Sequence, residues 1–342
     1  ANYLFNTGIA NIDDADALLI IGSNPRREAP VLNARIRKRW VAGNFPIGII
    51  GQDEDLTYPA THLGNGAETL AELASGKGSF FSTLKKAKRP MLIIGQSALA
   101  RKDGLAVLEA AIELATQCKM VSDDWNGFNV LHSAAARVAG LDIGFAPQEG
   151  GYDLEGILDG ASSGDVKTVF LLGADELDMN RLGDSFVVYV GTHGDAGAHR
   201  ADVILPGATY TEKQAIYVNT EGRAQMTEQA AFPPGEARED WKIFRALSEV
   251  LGEKLPYDNV ETLRALMFEV APHLAGLDEL TDAGAPDVSA LTINASLSDA
   301  PFMNNAQDFY FTNPIARASK IMAECSIQAQ SRNVSEGTGT DG

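Results

Sequence analysis

The sequence predicts an α/β protein: two Rossmann-like lobes built on doubly wound, mostly parallel sheets. Three observations carry this. Apolar runs ending in glycine followed by small or polar residues recur at residues 17–24 (ALLIIGSN), 46–53 (PIGIIGQD), 90–97 (PMLIIGQS), 168–175 (TVFLLGAD) and 186–193 (FVVYVGTH). Their hydrophobicity is continuous rather than alternating, as in strands covered on both faces. Helix-like intervals follow several of them, as crossovers between parallel strands require. Residues 203–205 (VIL) add a sixth strand. The glycines suit the sharp exit of a strand at the carboxyl edge, where ligands of such sheets bind.

Taken in order, residues 1–88 form a first α/β lobe. The chain opens Ala1-Asn2-Tyr3 without Met and reaches a strand at once, so this lobe reads as truncated at its amino end. Gly76-Lys77-Gly78, the basic stretch Lys85 to Arg89 and Pro90 place a boundary near residue 88. A second lobe, 89–277, holds a helix between Leu99 and Cys118 with Leu105, Leu108, Ala111, Ile112 and Ala115 on one stripe. A further amphipathic helix, 238–251, places Trp241, Phe244, Leu247 and Leu251 on its core side. Residues 278–330 are an extended arm, rich in Asp, Ala, Pro and Ser, ending in a docking helix at 315–328. The tail, 331–342, has the Gly, Ser and Thr content of a disordered segment.

With 342 residues and 45% hydrophobic content the chain is long enough for two domains with a sizeable core. Lys and Arg number 28 against 46 Asp and Glu, a formal net charge of −18, which argues against nucleic acid and anionic membrane surfaces as partners. No apolar run reaches the roughly 18–20 residues of a membrane span, and no signal-peptide pattern is present. Cys118 and Cys325 make neither a disulfide framework nor a metal motif, and an iron–sulfur cluster takes four clustered thiolates.

Chemistry-bearing motifs are sparse. Gly22-Ser23-Asn24-Pro25 closes a strand and opens a helix, with Arg26 and Arg27 just inside it. That arrangement serves either an anion site or a plain helix cap. No GxGxxG or GxxxxGK[ST] accompanies it. Arg26, Arg27, Arg35, Arg37, Lys38 and Arg39 face a single acid, Glu28, and such a face suits either an acidic partner or solvent. His193 and His199 flank Gly194-Asp195 without zinc spacing, and His62, His132 and His273 stand alone. Asp123-Asp124 reads as a polar loop, and no nucleophile elbow or local catalytic cysteine signature occurs. No catalytic residue is identified. Most specific is 201–223, ADVILPGATYTEKQAIYVNTEGR, which gathers Glu212, Lys213, Asn219, Glu221 and Arg223 around tight backbone turns.

The block at 201–225 resembles the cofactor edge of the molybdopterin oxidoreductase superfamily, which includes the formate dehydrogenase and DMSO reductase domains. Within it the chain is similar to the carboxyl half of the large iron–sulfur (75 kDa) subunit of respiratory complex I. The stretches that carry this are 22–40 (GSNPRREAPVLNARIRKRW), 55–64 (DLTYPATHLG), 171–176 (LLGADE), 193–213, 233–249 (PPGEAREDWKIFRALSE) and 308–323 (DFYFTNPIARASKIMA). The resemblance implies an absent amino-terminal half carrying [2Fe–2S] and [4Fe–4S] clusters. It implies no cofactor in this part, where Asp202, Glu212, Asn219, Glu221 and Arg223 remain as a vestigial pterin edge.

Glu212, Glu221 and Arg223 are then expected to satisfy one another or nearby backbone groups, because buried charges without partners are costly. The implied role is a scaffold in the peripheral arm of NADH:quinone oxidoreductase, with the other peripheral-arm subunits as partners. The implied location is the cytoplasmic face of a bacterial plasma membrane or the matrix face of the mitochondrial inner membrane. The alternatives are an active molybdopterin oxidoreductase fragment and a stand-alone nucleotide module using Gly22 to Arg27.

Overall fold

A computed structural model describes residues 1–135, 137–289, 296–304, 306 and 308–335. The chain divides into two compact units, one of Ala1–Ala139, Val218–Ala224 and Leu277–Gln307, the other of Gly140–Tyr217, Gln225–Gly276 and Asp308–Gly342.

The first unit is built on β1 (Ala17–Ile21), β2 (Ile47–Ile50), β3 (Thr61–Gly64), β4 (Pro90–Gly95) and β5 (Phe128–Leu131). All pairings are parallel and the order is β3-β2-β1-β4-β5. Chain order runs outward from β1 on both sides, which makes the β1/β4 junction the point where the strand order reverses. Alternate residues of β1 enter two cores. Leu19 and Ile21 pack with Leu70, Leu92 and Leu114, while Leu18 and Ile20 pack with Leu32, Ile36 and Met91. All five residues of β1 are buried, as the uninterrupted run requires.

The boundary expected near residue 88 is corrected by this sheet. β4 pairs with β1 residue for residue from Ala17↔Pro90 to Ile21↔Ile94. Asp16 accepts the N–H groups of Lys88 and Arg89 at 2.7 and 2.9 Å, so the basic stretch is a short return within one unit. Residues 89–139 belong to the first unit, and so does the first part of the arm, residues 277–307.

In the second unit β6 (Thr168–Leu172), β7 (Phe186–Gly191) and β8 (Val203–Pro206) form a parallel sheet in the order β8-β7-β6. Coverage on both faces, expected from the apolar runs, does not hold here. Val169 and Leu171 are buried with Leu158 and Ala161 of the helix Leu154–Ser163, whereas Phe170 and Leu172 are exposed. On the opposite face Phe170 meets Phe244 of the helix Asp240–Val250, the ring centroids lying 6.2 Å apart. That helix buries Arg245 and Ser248 rather than the expected apolar stripe, and Leu251 just beyond it is exposed.

The last helix runs Lys320–Ser335, preceded by a turn at Pro314–Arg317. It therefore begins later than expected and takes in the first residues assigned to the tail. Residues 336–342 of that tail lie outside the described residues.

Candidate functional site

The return after Val218 is organised by Asn219. Its side-chain carbonyl accepts the N–H groups of Glu221 at 3.1 Å and Arg223 at 3.0 Å, and Gly222 takes a φ of 85°, which suits a residue without Cβ. The turn aims Glu221 inward, where 8% of its side chain is exposed. One carboxylate oxygen accepts from the Asn219 amide at 3.1 Å and Arg223 Nε at 3.0 Å, and the other from the Ile9 N–H at 2.8 Å. Arg223 also donates to the carbonyl of Asp278. Burial alone raises the Glu221 carboxyl. The Ile9 N–H, the Asn219 amide and the Arg223 guanidinium outweigh it and hold the group below its ordinary value.

Asp202 and Glu212 are each paired in their own surroundings. Asp202 accepts the Val187 N–H at 2.7 Å and lies 3.5 Å from Arg200, and Glu212 accepts the Thr209 N–H at 3.0 Å. Lys213 binds Asp240 at 2.7 Å. Of the five sequence candidates, then, Asn219, Glu221 and Arg223 form one linked cluster. Glu212 satisfies nearby backbone rather than a charge of that cluster.

At the carboxyl end of β1 the helical turn Pro25–Glu28 is capped by Asn24, which accepts the Arg27 N–H. The position an anion would take is filled by the chain itself. Glu28 receives the Ser23 hydroxyl at 2.9 Å and the Asn24 N–H at 3.0 Å. Burial, together with the charge of Glu54, pushes the Glu28 carboxyl above its ordinary value against those two hydrogen bonds. The geometry is that of a helix cap.

The basic face is spent largely on its own unit. Arg26 pairs with Asp55 at 2.7 Å and Arg27 with Glu54 at 3.4 Å, while Arg35 and Lys38 share Asp13 at 2.9 Å each. Arg37 donates to the Thr57 carbonyl, and Arg39 donates to Ala15 and Gly43 while lying 4.7 Å over the Phe45 ring. The basic residues fall on two helices, Pro25–Glu28 with the one acid Glu28 and Pro30–Val41 with none, and their acidic partners come from elsewhere, Asp13 from the 3-10 turn Ile9–Asp14 and Glu54 and Asp55 from the segment after β2. Sequence spacing has no signal for that pairing.

Among the described residues no group of three His, Cys, Asp or Glu side chains is placed to hold a metal ion. Both cysteines are free thiols, and burial pushes Cys118 up to about 11. Asp123 and Asp124 form the tight turn between the antiparallel pairs Val121↔Asn126 and Ser122↔Trp125. Asp175, a residue with no sequence signal of its own, is buried beyond β6. It accepts from the Gly197 N–H at 2.8 Å and the Tyr189 hydroxyl at 3.1 Å. Burial, and the carboxylate beside it, raise the Tyr189 hydroxyl well above the usual range. The glycine in the run at 168–175 marks that strand end, but nothing marks the buried acid.

Residues 1–250 match the family model described as molybdopterin oxidoreductase, and residues 280–325 match the one for the carboxyl-terminal part of the G subunit of NADH-ubiquinone oxidoreductase. The chain belongs to the molybdopterin oxidoreductase family. It is similar to the NADH-ubiquinone oxidoreductase 75 kDa subunit of Reclinomonas americana, at 42% identity over 95% of this chain and 46% of the relative. It is also similar to the mitochondrial NADH-ubiquinone oxidoreductase 78 kDa subunit of Candida albicans, at 44% identity over 95% of this chain and 45% of the relative. The chain thus spans less than half the length of these relatives. A solved acetylene hydratase from Pelobacter acetylenicus covers 80% of this chain and 53% of its own, at 13% identity and a TM-score of 0.47.

The family name implies a pterin. Glu221, Arg223 and Asn219 are committed to one another, to Ile9 and to Asp278, so they offer little to a ligand. Glu221 also lines a cavity of ≈590 Å³ together with Asp123, Asp124 and Asp282, walls that repel a phosphate-bearing group. Asn219, Glu221 and Arg223, so committed, do not fit that cofactor.

Proposed function

We propose that this chain is a scaffold section of an NADH-ubiquinone oxidoreductase, supporting electron transfer from NADH to quinone without carrying a redox centre of its own. The observation that carries the reading is the similarity, over 95% of the chain, to 75 and 78 kDa subunits of that complex. Saturation of the motif around Glu221 by its own chain supports a structural use of the inherited edge.

On this reading [2Fe–2S] and [4Fe–4S] clusters sit in the remainder of the subunit, and the partners are the other peripheral-arm subunits. The assembly lies on the cytoplasmic face of a bacterial membrane or the matrix face of the mitochondrial inner membrane. No helix among the described residues is long and apolar enough to cross a membrane. Docking through the basic face falls to Lys38 first, whose side chain is 70% exposed.

The test is co-expression with the other peripheral-arm subunits, followed by metal and pterin analysis of the purified chain. Co-purification without molybdenum is expected. Stoichiometric molybdenum or pterin would remove the scaffold reading and favour an active oxidoreductase. Lys38→Ala should weaken the association with little change in melting temperature, since Arg35 still pairs with Asp13, and unaltered association would assign that face to solvent.

A further inference from the structure

We propose that the arm is a built-in occupant of the ligand edges of both parallel sheets: residues 297–304 plug the edge of the five-stranded sheet, and the segment around Arg317 closes that of the three-stranded one. The inference goes beyond the scaffold reading and stands without it, since it rests on the contacts of the arm alone.

In open parallel sheets a ligand sits outside the carboxyl ends of the strands, where strand order reverses. In the first unit that place is next to Gly22 after β1, Gly51 after β2 and Ala98 beyond β4. Phe302 lies there, 1% exposed and part of the hydrophobic core. A Cβ on Gly22 would stand 3.2 Å from the Cβ of Phe302 and 2.7 Å from that of Ala98, so the turn at φ 55° leaves room for this ring and little else.

The plug is anchored along its length. Ser298 N–H donates to Asp103 at 2.8 Å, and Arg101 donates to the Ala300 and Pro301 carbonyls at 2.8 and 3.1 Å while lying 5.1 Å over the Phe302 ring. Phe302 N–H donates to the Asn65 carbonyl at 2.8 Å, and Asn304 binds Gln52 and Glu54. Backbone and amide groups of the arm thus take the acceptors that the edge presents.

The second unit repeats the arrangement with charge. Arg317 binds Glu176, which follows β6, at 2.9 Å, and Asp195, which follows β7. A third N–H of Arg317 donates to the Phe311 carbonyl at 3.3 Å, tying the guanidinium to its own segment. Both closures come from residues 280–325, which match the carboxyl-terminal family of NADH-ubiquinone oxidoreductase, whereas the molybdopterin oxidoreductase match ends at residue 250. The two sheets come from one match and their occupant from the other.

Hydrogen exchange on the full chain tests this. Phe302→Ala should speed exchange at residues 22–24, 51–53 and 95–98 by about tenfold or more while leaving β6 unchanged. Arg317→Ala should do the same only around residues 175–176 and 193–197. A peptide of residues 296–304, added to a chain lacking 297–304, should restore protection at the first edge, and the same peptide carrying Phe302→Ala should not. If the deletion chain fails to fold, Arg101→Lys, which weakens the anchor while keeping Phe302, reads the same edge. Exchange that rises uniformly through the unit, or protection indifferent to the peptide, would make the segment ordinary core and overturn the proposal.

Discussion

Two strands of equal length and similar composition, ALLII in β1 and TVFLL in β6, behave differently. Every residue of β1 is buried, whereas β6 buries only Val169 and Leu171. β1 sits inside a five-stranded sheet with apolar side chains from other elements on both faces; β6 is the edge of three strands, with a helix on one face and, on the other, Phe170 and Leu172 exposed and Phe244 against Phe170. An unbroken apolar run therefore encodes a strand, and the covering of its second face is encoded in the elements around it.

The largest expected effect separates the two directly. Ile20→Ala, at a fully buried site between β2 and β4, should cost about 2–5 kcal/mol of the first unit's stability. Leu172→Ala, with the side chain largely exposed, should cost less than about 1 kcal/mol. Denaturant melts followed by hydrogen exchange in each sheet measure both. Equal losses would break the comparison and place a cover over Leu172.

The same contrast decides what is legible in the sequence. Residues 17–21, 47–50, 90–95, 168–172 and 186–191 all fall inside the expected apolar runs, because a glycine at a strand exit and a β-rich run are local signals. β3 and β5 carry no such signal. THLG and FNVL are four residues each, the first half-exposed and the second broken by Asn129, so neither stands out from a loop. The domain boundary fails for a different reason: a charged, glycine-flanked stretch resembles a linker, and only the register of β4 against β1 shows that it is a turn inside one sheet. At the candidate site, Asn219 to Arg223 is visible as a motif. Its partners Ile9 and Asp278 lie far away in sequence and have no local signature. Phe302 likewise has none within an acidic arm.

A second, smaller effect carries the comparison from carbon to charge. Glu221→Ala removes a buried carboxylate and leaves the Ile9 N–H and the Arg223 guanidinium without their acceptor, which should cost about 2 kcal/mol. Arg181, which pairs with Glu155 at 2.9 Å and Asp159 at 2.7 Å on the open surface of the second unit, should tolerate Ala with no measurable change in melting temperature. Raising the salt concentration should leave the Glu221 result intact. A salt-sensitive loss there would mean that the cluster is solvated like the surface pair.

The smallest expected effect is a pH dependence with two opposite signs inside the first unit. The Glu221 carboxyl is held below its ordinary value, so its contribution is fully present above the usual glutamate range and is lost as pH falls through the depressed value. Glu28 is displaced the other way, chiefly by burial. Its contribution is fully present below the usual glutamate range and is lost as pH rises through the raised value. Stability measured against pH should therefore fall on both sides, with Glu221→Gln flattening only the acid limb and Glu28→Gln only the limb above it. Chemical denaturation across the acidic range reads both limbs. If Glu28→Gln left the upper limb unchanged, the carboxylate at the start of that helix would be acting as an ordinary ionised cap. The anion position at the end of β1 would then carry a full negative charge of the protein's own.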